Sequence, residues 1–121
     1  MAKAEELKNE LENLHAAIPD LKGVLLASTE GLPIAHLLTE GGDPHHMAAY
    51  ATAASQLGRK ITTNLAGGEL GEVSVRGGDG SLFVYAVGSK AILAVLTPNE
   101  ANAGLVHLEA RHAAQQISQL F

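Results

Sequence analysis

The sequence predicts an α/β (α+β) chain folded as a three-layer α/β/α sandwich, with a five-stranded, mainly antiparallel sheet between helices. Three observations carry this. The segments run helix-strand-strand-helix-strand-strand-strand-helix. Every strand-to-strand connection is short enough for a hairpin, which antiparallel neighbours permit and parallel ones do not. Ser81–Val87 and Ala91–Leu96 are apolar on both faces, as strands covered by helices above and below must be.

In chain order, residues 4–17 place Leu7, Leu11 and Leu14, with Ile18 beyond, on one face and Glu and Lys opposite, an amphipathic helix that Pro19-Asp20 ends. Gly23–Ser28 is an apolar run of strand length, and Thr29-Glu30-Gly31 is a turn. Pro33–Leu38 follows as an edge strand, because its leading proline cannot donate to a ladder. Thr39–Asp43 is the loop into the central helix. In Leu70–Arg76, Val73 and Val75 face one way and Glu72, Ser74 and Arg76 the other, so this half-buried strand is the second edge. Gly77–Gly80 makes a hairpin turn and Gly88–Lys90 another. Thr97 and Glu100 have the spacing of a capping box, which opens a last helix to about Leu120 with Leu105, Val106, Ala113, Ile117 and Leu120 on one side.

The central helix, Pro44–Ala66, organises the rest. Asp43 caps it, Pro44 presets its first turn, and Gly67-Gly68 ends it. Met47, Tyr50, Ala54, Leu57, Ile61 and Leu65 recur at helical spacing, a stripe expected to face the core. Ala48, Thr52, Ser55, Arg59 and Thr62 form a second face, small and short-polar, expected to pack against a second copy of the chain because small side chains let helix axes approach.

At 121 residues the chain is expected to be one domain, 1–121. The absence of cysteine removes disulfides, thiolate catalysis and cysteine-ligated zinc. A formal charge of −5 with scattered Lys and Arg argues against nucleic acid as a partner. The apolar runs are too short to span a bilayer, and the charged amphipathic N-terminus has no signal-peptide core. A soluble cytoplasmic protein is expected.

Catalytic motifs are missing. There is no Gly-Lys dipeptide for a phosphate loop, and Phe83 stands where a dinucleotide fingerprint needs its third glycine. No serine sits in a nucleophile elbow. His45 and His46 are adjacent and diverge on a helix, while His107 and His112 are five apart and cannot share an ion on one face. Asp43, His45, His46 and His36 could form a weak metal site only if the fold gathers them; the competing reading is solvated residues at a loop and helix start. Glu109 falls between Leu105 and Ala113 on the apolar side, so it either meets Arg59 or Lys60 or reaches water from a boundary position. No nucleophile, base and orienter assemble, so no catalytic residue, cofactor or metal is expected.

The pattern resembles the Roadblock / dynein light-chain family, whose fold is profilin-like. The likeness runs from about Leu14 to Leu120. It rests on I-P-D-L-K-G-V-L-L-A-S at Ile18–Ser28, T-E-G-L-P-I-A at Thr29–Ala35, and the small-residue helix with Leu57-Gly58-Arg59-Lys60. E-V-S-V-R-G-G-D-G at Glu72–Gly80 and N-A-G-L-V-H-L-E-A-R at Asn102–Arg111 complete it. The resemblance implies sheet order 2-1-5-4-3, a dimer through the third strand and central helix, and work as a scaffold or regulator of Ras-like GTPases. In bacteria the family includes the activator of the gliding-motility GTPase. The sequence ends at the third helix, without the longer C-terminal segment expected of that regulator, and carries no GTPase, so the partner would be a separate chain.

The expected function is a non-enzymatic, bacterial-type dimeric regulator of a small Ras-like GTPase. Homodimer residues would be Ala48, Thr52, Ser55, Arg59 and Thr62 on the helix, with Glu72, Ser74 and Arg76 on the edge strand. Antiparallel pairing about Ser74 would set Glu72 near a second copy's Arg76. Gln56, Arg59, Lys60 and Thr63 would meet the GTPase. An arginine supplied in trans stays open, with Arg59, Arg76 and Arg111 unplaced. The alternatives are a passive dimeric adaptor and a small-ligand sensor.

Overall fold

A computed structural model describes all residues except Met1, Glu40 and Gly41, together with the backbone but not the side chain of Ala2. The loop expected at Thr39–Asp43 therefore lies partly outside the described residues. The chain forms α1 (Ala2–Ala17), β1 (Gly23–Ser28), β2 (Pro33–Leu38), α2 (Pro44–Ile61), β3 (Glu72–Arg76), β4 (Gly80–Val87), β5 (Ala91–Pro98) and α3 (Ala103–Ser118). A π-helical turn, Thr62–Ala66, prolongs α2. All sheet neighbours are antiparallel, in the order β2-β1-β5-β4-β3.

Alternation along the strands divides the molecule into two cores of unequal size. Val24 and Leu26 of β1, Phe83, Tyr85 and Val87 of β4 and Leu93 and Val95 of β5 point to the side covered by α1 and α3. There they meet Leu7, Leu11, Leu14, Val106, Ala110 and Ile117. The intervening residues Leu25, Ala27, Val84, Ile92 and Ala94 point to the other side, covered by α2 alone. β1 and β5 are buried on both faces because they lie inside the sheet, whereas β3 and β2 are its edges.

The capping box is not used. Thr97 continues β5, pairs with Ser81, and is fully buried with its hydroxyl donating to the Ser81 carbonyl. Asn102 caps α3 instead, its side-chain oxygen accepting from the Leu105 N–H at 3.1 Å. The ladder bonds available to a buried threonine outweighed the local spacing that suggested a cap.

Candidate functional site

Asp43 accepts the His45 N–H at 2.9 Å, and Pro44 occupies the first turn of α2. That backbone hydrogen bond, then the neighbouring His46, hold the Asp43 carboxyl below its ordinary value. From this start α2 crosses the sheet, and the face it lays down is the small one. Ala48, Ala51, Thr52, Ser55 and Gly58 are buried. Gly58 fixes how close the helix comes, since a Cβ there would stand 2.7 Å from Val73 Cγ2 of β3. This reverses the faces expected from the sequence. Ala48, Thr52 and Ser55 are packed against the chain's own sheet and are not available to a second copy. Leu25, Ile92 and Val84 already fill the volume beneath α2, so large side chains on that face would hold the helix off.

The large stripe is consequently on the outside. Tyr50, Leu57, Ile61 and Leu65 are exposed at 68, 60, 46 and 83%, with half-buried Met47 and Ala54 among them. Isolated exposed leucines are ordinary, but four large residues along one helix are a surface in search of cover. Val75, on the same side of β3, is exposed too, and among the described residues no strand pairs with the outer edge of β3. At the N-terminal end of the stripe a cavity of about 390 Å³ opens between α2 and the sheet. Leu38, Met47, Tyr50, Leu82 and Leu96 line it, with Lys22, Asp43 and His46 among its polar residues.

The opposite side of β3 is polar. Arg111 of α3 donates to Glu72 at 2.6 Å. The Tyr85 hydroxyl, across the ladder from Glu72, is 2.7 Å from His107 Nδ1. Burial, then the Glu72 carboxylate, push the Tyr85 hydroxyl up, so it stays neutral. Ser74 and Arg76 are exposed.

A sheet flanked by α2 on one face and α1 and α3 on the other is met again in known proteins. The family model for the Roadblock/LC7 domain matches residues 7–97. The chain belongs to the Roadblock/LC7 family. The Roadblock/LC7 domain from Streptomyces avermitilis is 27% identical, covers 93% of this chain and 94% of its own, and superposes with a TM-score of 0.86. The gliding protein MglB from Thermus thermophilus is 18% identical, with 99% and 91% coverage and a TM-score of 0.87. That level of identity speaks for the fold alone. The uncharacterized protein MJ1340 from Methanocaldococcus jannaschii is 29% identical over 101 residues, 84% of this chain and 88% of its own.

In this Roadblock domain the remaining site residues sort by side of α2. Gln56, Arg59, Lys60 and Thr63 are exposed and share one flank at steps of three and four, away from the apolar stripe. Arg59, half-buried Thr62 and Thr63 border a recess of about 380 Å³ with Glu69 and Gly88. The sheet separates α2 from α3, so Glu109 is not paired with Arg59 or Lys60; it takes the half-buried boundary position. His46 lies 3.6 Å from Asp43. Among the described residues no three potential metal ligands gather, so the weak site considered for Asp43, His45, His46 and His36 is not assembled. Nor, among those residues, is any helix long and apolar enough to cross a membrane. Sequence reasoning placed Val75 on the inward side of its strand without its exposure, and passed over the cavity. The signal for the inverted helix was Gly58, which shares a face with Ala48, Ala51 and Ser55 and would be costly mid-helix without a close approach.

Proposed function

We propose that this Roadblock domain is a non-enzymatic homodimer that regulates a small Ras-like GTPase. The observation that carries the reading is the uncovered apolar stripe of α2 beside the free edge of β3. A two-fold axis near Ser74 would pair two β3 edges and bring the two α2 stripes together. Glu72, already held by Arg111, would then also meet Arg76 of the partner subunit. Arg59 and Thr62 stand off this stripe, beside the recess with Glu69, and the flank carrying Gln56, Arg59, Lys60 and Thr63 would remain open to the GTPase. The family pattern in the sequence, with the Roadblock/LC7 match over residues 7–97, supports a GTPase as the partner. Regulation follows if the dimer binds one arrangement of the switch loops better than the other, since a ligand shifts an equilibrium only by its differential affinity.

The test is calorimetric titration against the small GTPases of the same organism, each loaded with GDP or a GTP analogue. The expected result is a preference for one nucleotide state of at least about tenfold, or roughly 1.4 kcal/mol. Lys60→Glu should abolish the preference and leave the dimer intact. Equal affinity for both states would make the protein an adaptor, and no binding would end the GTPase reading.

A further inference from the structure

We infer that the cavity under the N-terminal end of α2 is a socket for Leu65 of a second copy, so that a dimer carries two equivalent sockets. The inference rests on the dimer reading above and adds to it the register in which the helices meet. Leu65 is the most exposed large apolar residue among those described, at 83%, and stands on the π turn at the far end of the stripe. The cavity lies at the other end, with Tyr50 in both the stripe and the cavity wall. Some fifteen residues of helix put the two roughly 20 Å apart, so a chain's own Leu65 cannot reach its own cavity. A second copy, antiparallel across a two-fold axis, can.

The stripe is also self-complementary about one centre. With the axis between Leu57 and Gly58, Tyr50 comes opposite Leu65 of the partner subunit, and Ala54 comes opposite Ile61 of the partner subunit. The small residue thus meets the large one, as interdigitating helices require. Charge agrees. The C-terminal end of α2 is the negative end of the helix dipole and is followed by Glu69, while the socket carries the positive N-terminal end and Lys22. Asp43, an acid in the socket wall, is engaged by the His45 N–H.

The absence of native cysteine allows a direct test. Tyr50→Cys and Leu65→Cys are prepared as separate single variants, mixed, and oxidised with oxidised glutathione. Cross-linked dimer should form in the mixture at least about tenfold faster than with either variant alone, because only the hetero-pair brings the sulfurs within disulfide reach. Sedimentation is run alongside. Leu65→Ser should raise the dimer dissociation constant by at least about tenfold, while Leu65→Met, which still fills an apolar socket, should not. A wild-type dimer that cross-links no faster in the mixture, or fastest between two Leu65→Cys chains, would overturn the socket and leave the dimer standing. So would a wild-type dimer that binds anilinonaphthalene sulfonate as strongly as Leu65→Ser, since the cavity would then be open to small molecules. A monomeric wild type would end both.

Discussion

Thr52 is buried, at 8% exposure, and among the described residues its hydroxyl finds no hydrogen-bond partner. A valine of the same shape removes the unsatisfied group without a cavity. Thr52→Val should therefore stabilise the fold by about 1 kcal/mol, read from the urea midpoint at unchanged slope. Tyr85 is the opposite case: buried, with its hydroxyl engaged by His107. Tyr85→Phe should cost about 1 kcal/mol in the same assay. Asp43 adds a pH dependence of known sign. Its carboxyl is held below the ordinary value of 3.8 by the helix it caps, so its contribution is present above that pH and is lost as pH falls through the lowered value. Asp43→Asn keeps an acceptor for the His45 N–H and loses the charge. Its melting temperature should lie below that of wild type at pH 7, with the gap closing toward pH 2. A gap that persists in acid would mean that the charge is not what the wild type gains.

At the scale of elements, α2 separates what the sequence made legible from what it did not. Its ends were legible, because Asp43, Pro44 and Gly67 act locally on the chain that carries them. The strands were legible for the same reason, except at their ends: Leu70 and Gly71 stay outside β3, Gly80 joins β4, and Thr97 and Pro98 extend β5, where a cap-like spacing competed with a ladder. The direction α2 faces was not legible from its own pattern, because it depends on the volume the sheet has already filled. An apolar stripe marks a face that wants cover without naming the cover, and here the chain's own core takes the small face. The inversion reverses the outcome of two substitutions. Thr52→Arg should unfold the protein, since it drives bulk and charge into a close contact. Leu57→Arg, at an exposed position, should leave the circular dichroism spectrum unchanged and dissociate the proposed dimer. Gly58→Leu tests the close approach itself. Its side chain would collide with Val73 and Leu70, at a cost of about 1–3 kcal/mol. Sedimentation with far-UV spectra distinguishes these outcomes.

For the whole molecule, α2 gives each of its sides a different physical task. The small side holds the sheet, the apolar stripe offers an interface that needs no charge, and the polar flank places Arg59 and Lys60 on a chain whose formal charge is −5. The two associations proposed, built on such different chemistry, should answer salt in opposite ways. Raising ionic strength from about 0.1 to 1 M shortens the Debye length from roughly 10 to 3 Å. Attraction between an exposed cationic flank and an acidic GTPase surface is screened over that range, and most of the effect falls on the association rate. Apolar burial is not screened, and a salt such as sulfate strengthens it by exclusion from the protein surface. Stopped-flow mixing with the GTPase should thus show association slowing as sodium sulfate is added, while sedimentation shows the dimer dissociation constant unchanged or lower. If the dimer loosens with salt as fast as the GTPase does, the contact between copies is held by the Glu72 and Arg76 charges on the β3 edge, and the α2 stripe needs another occupant.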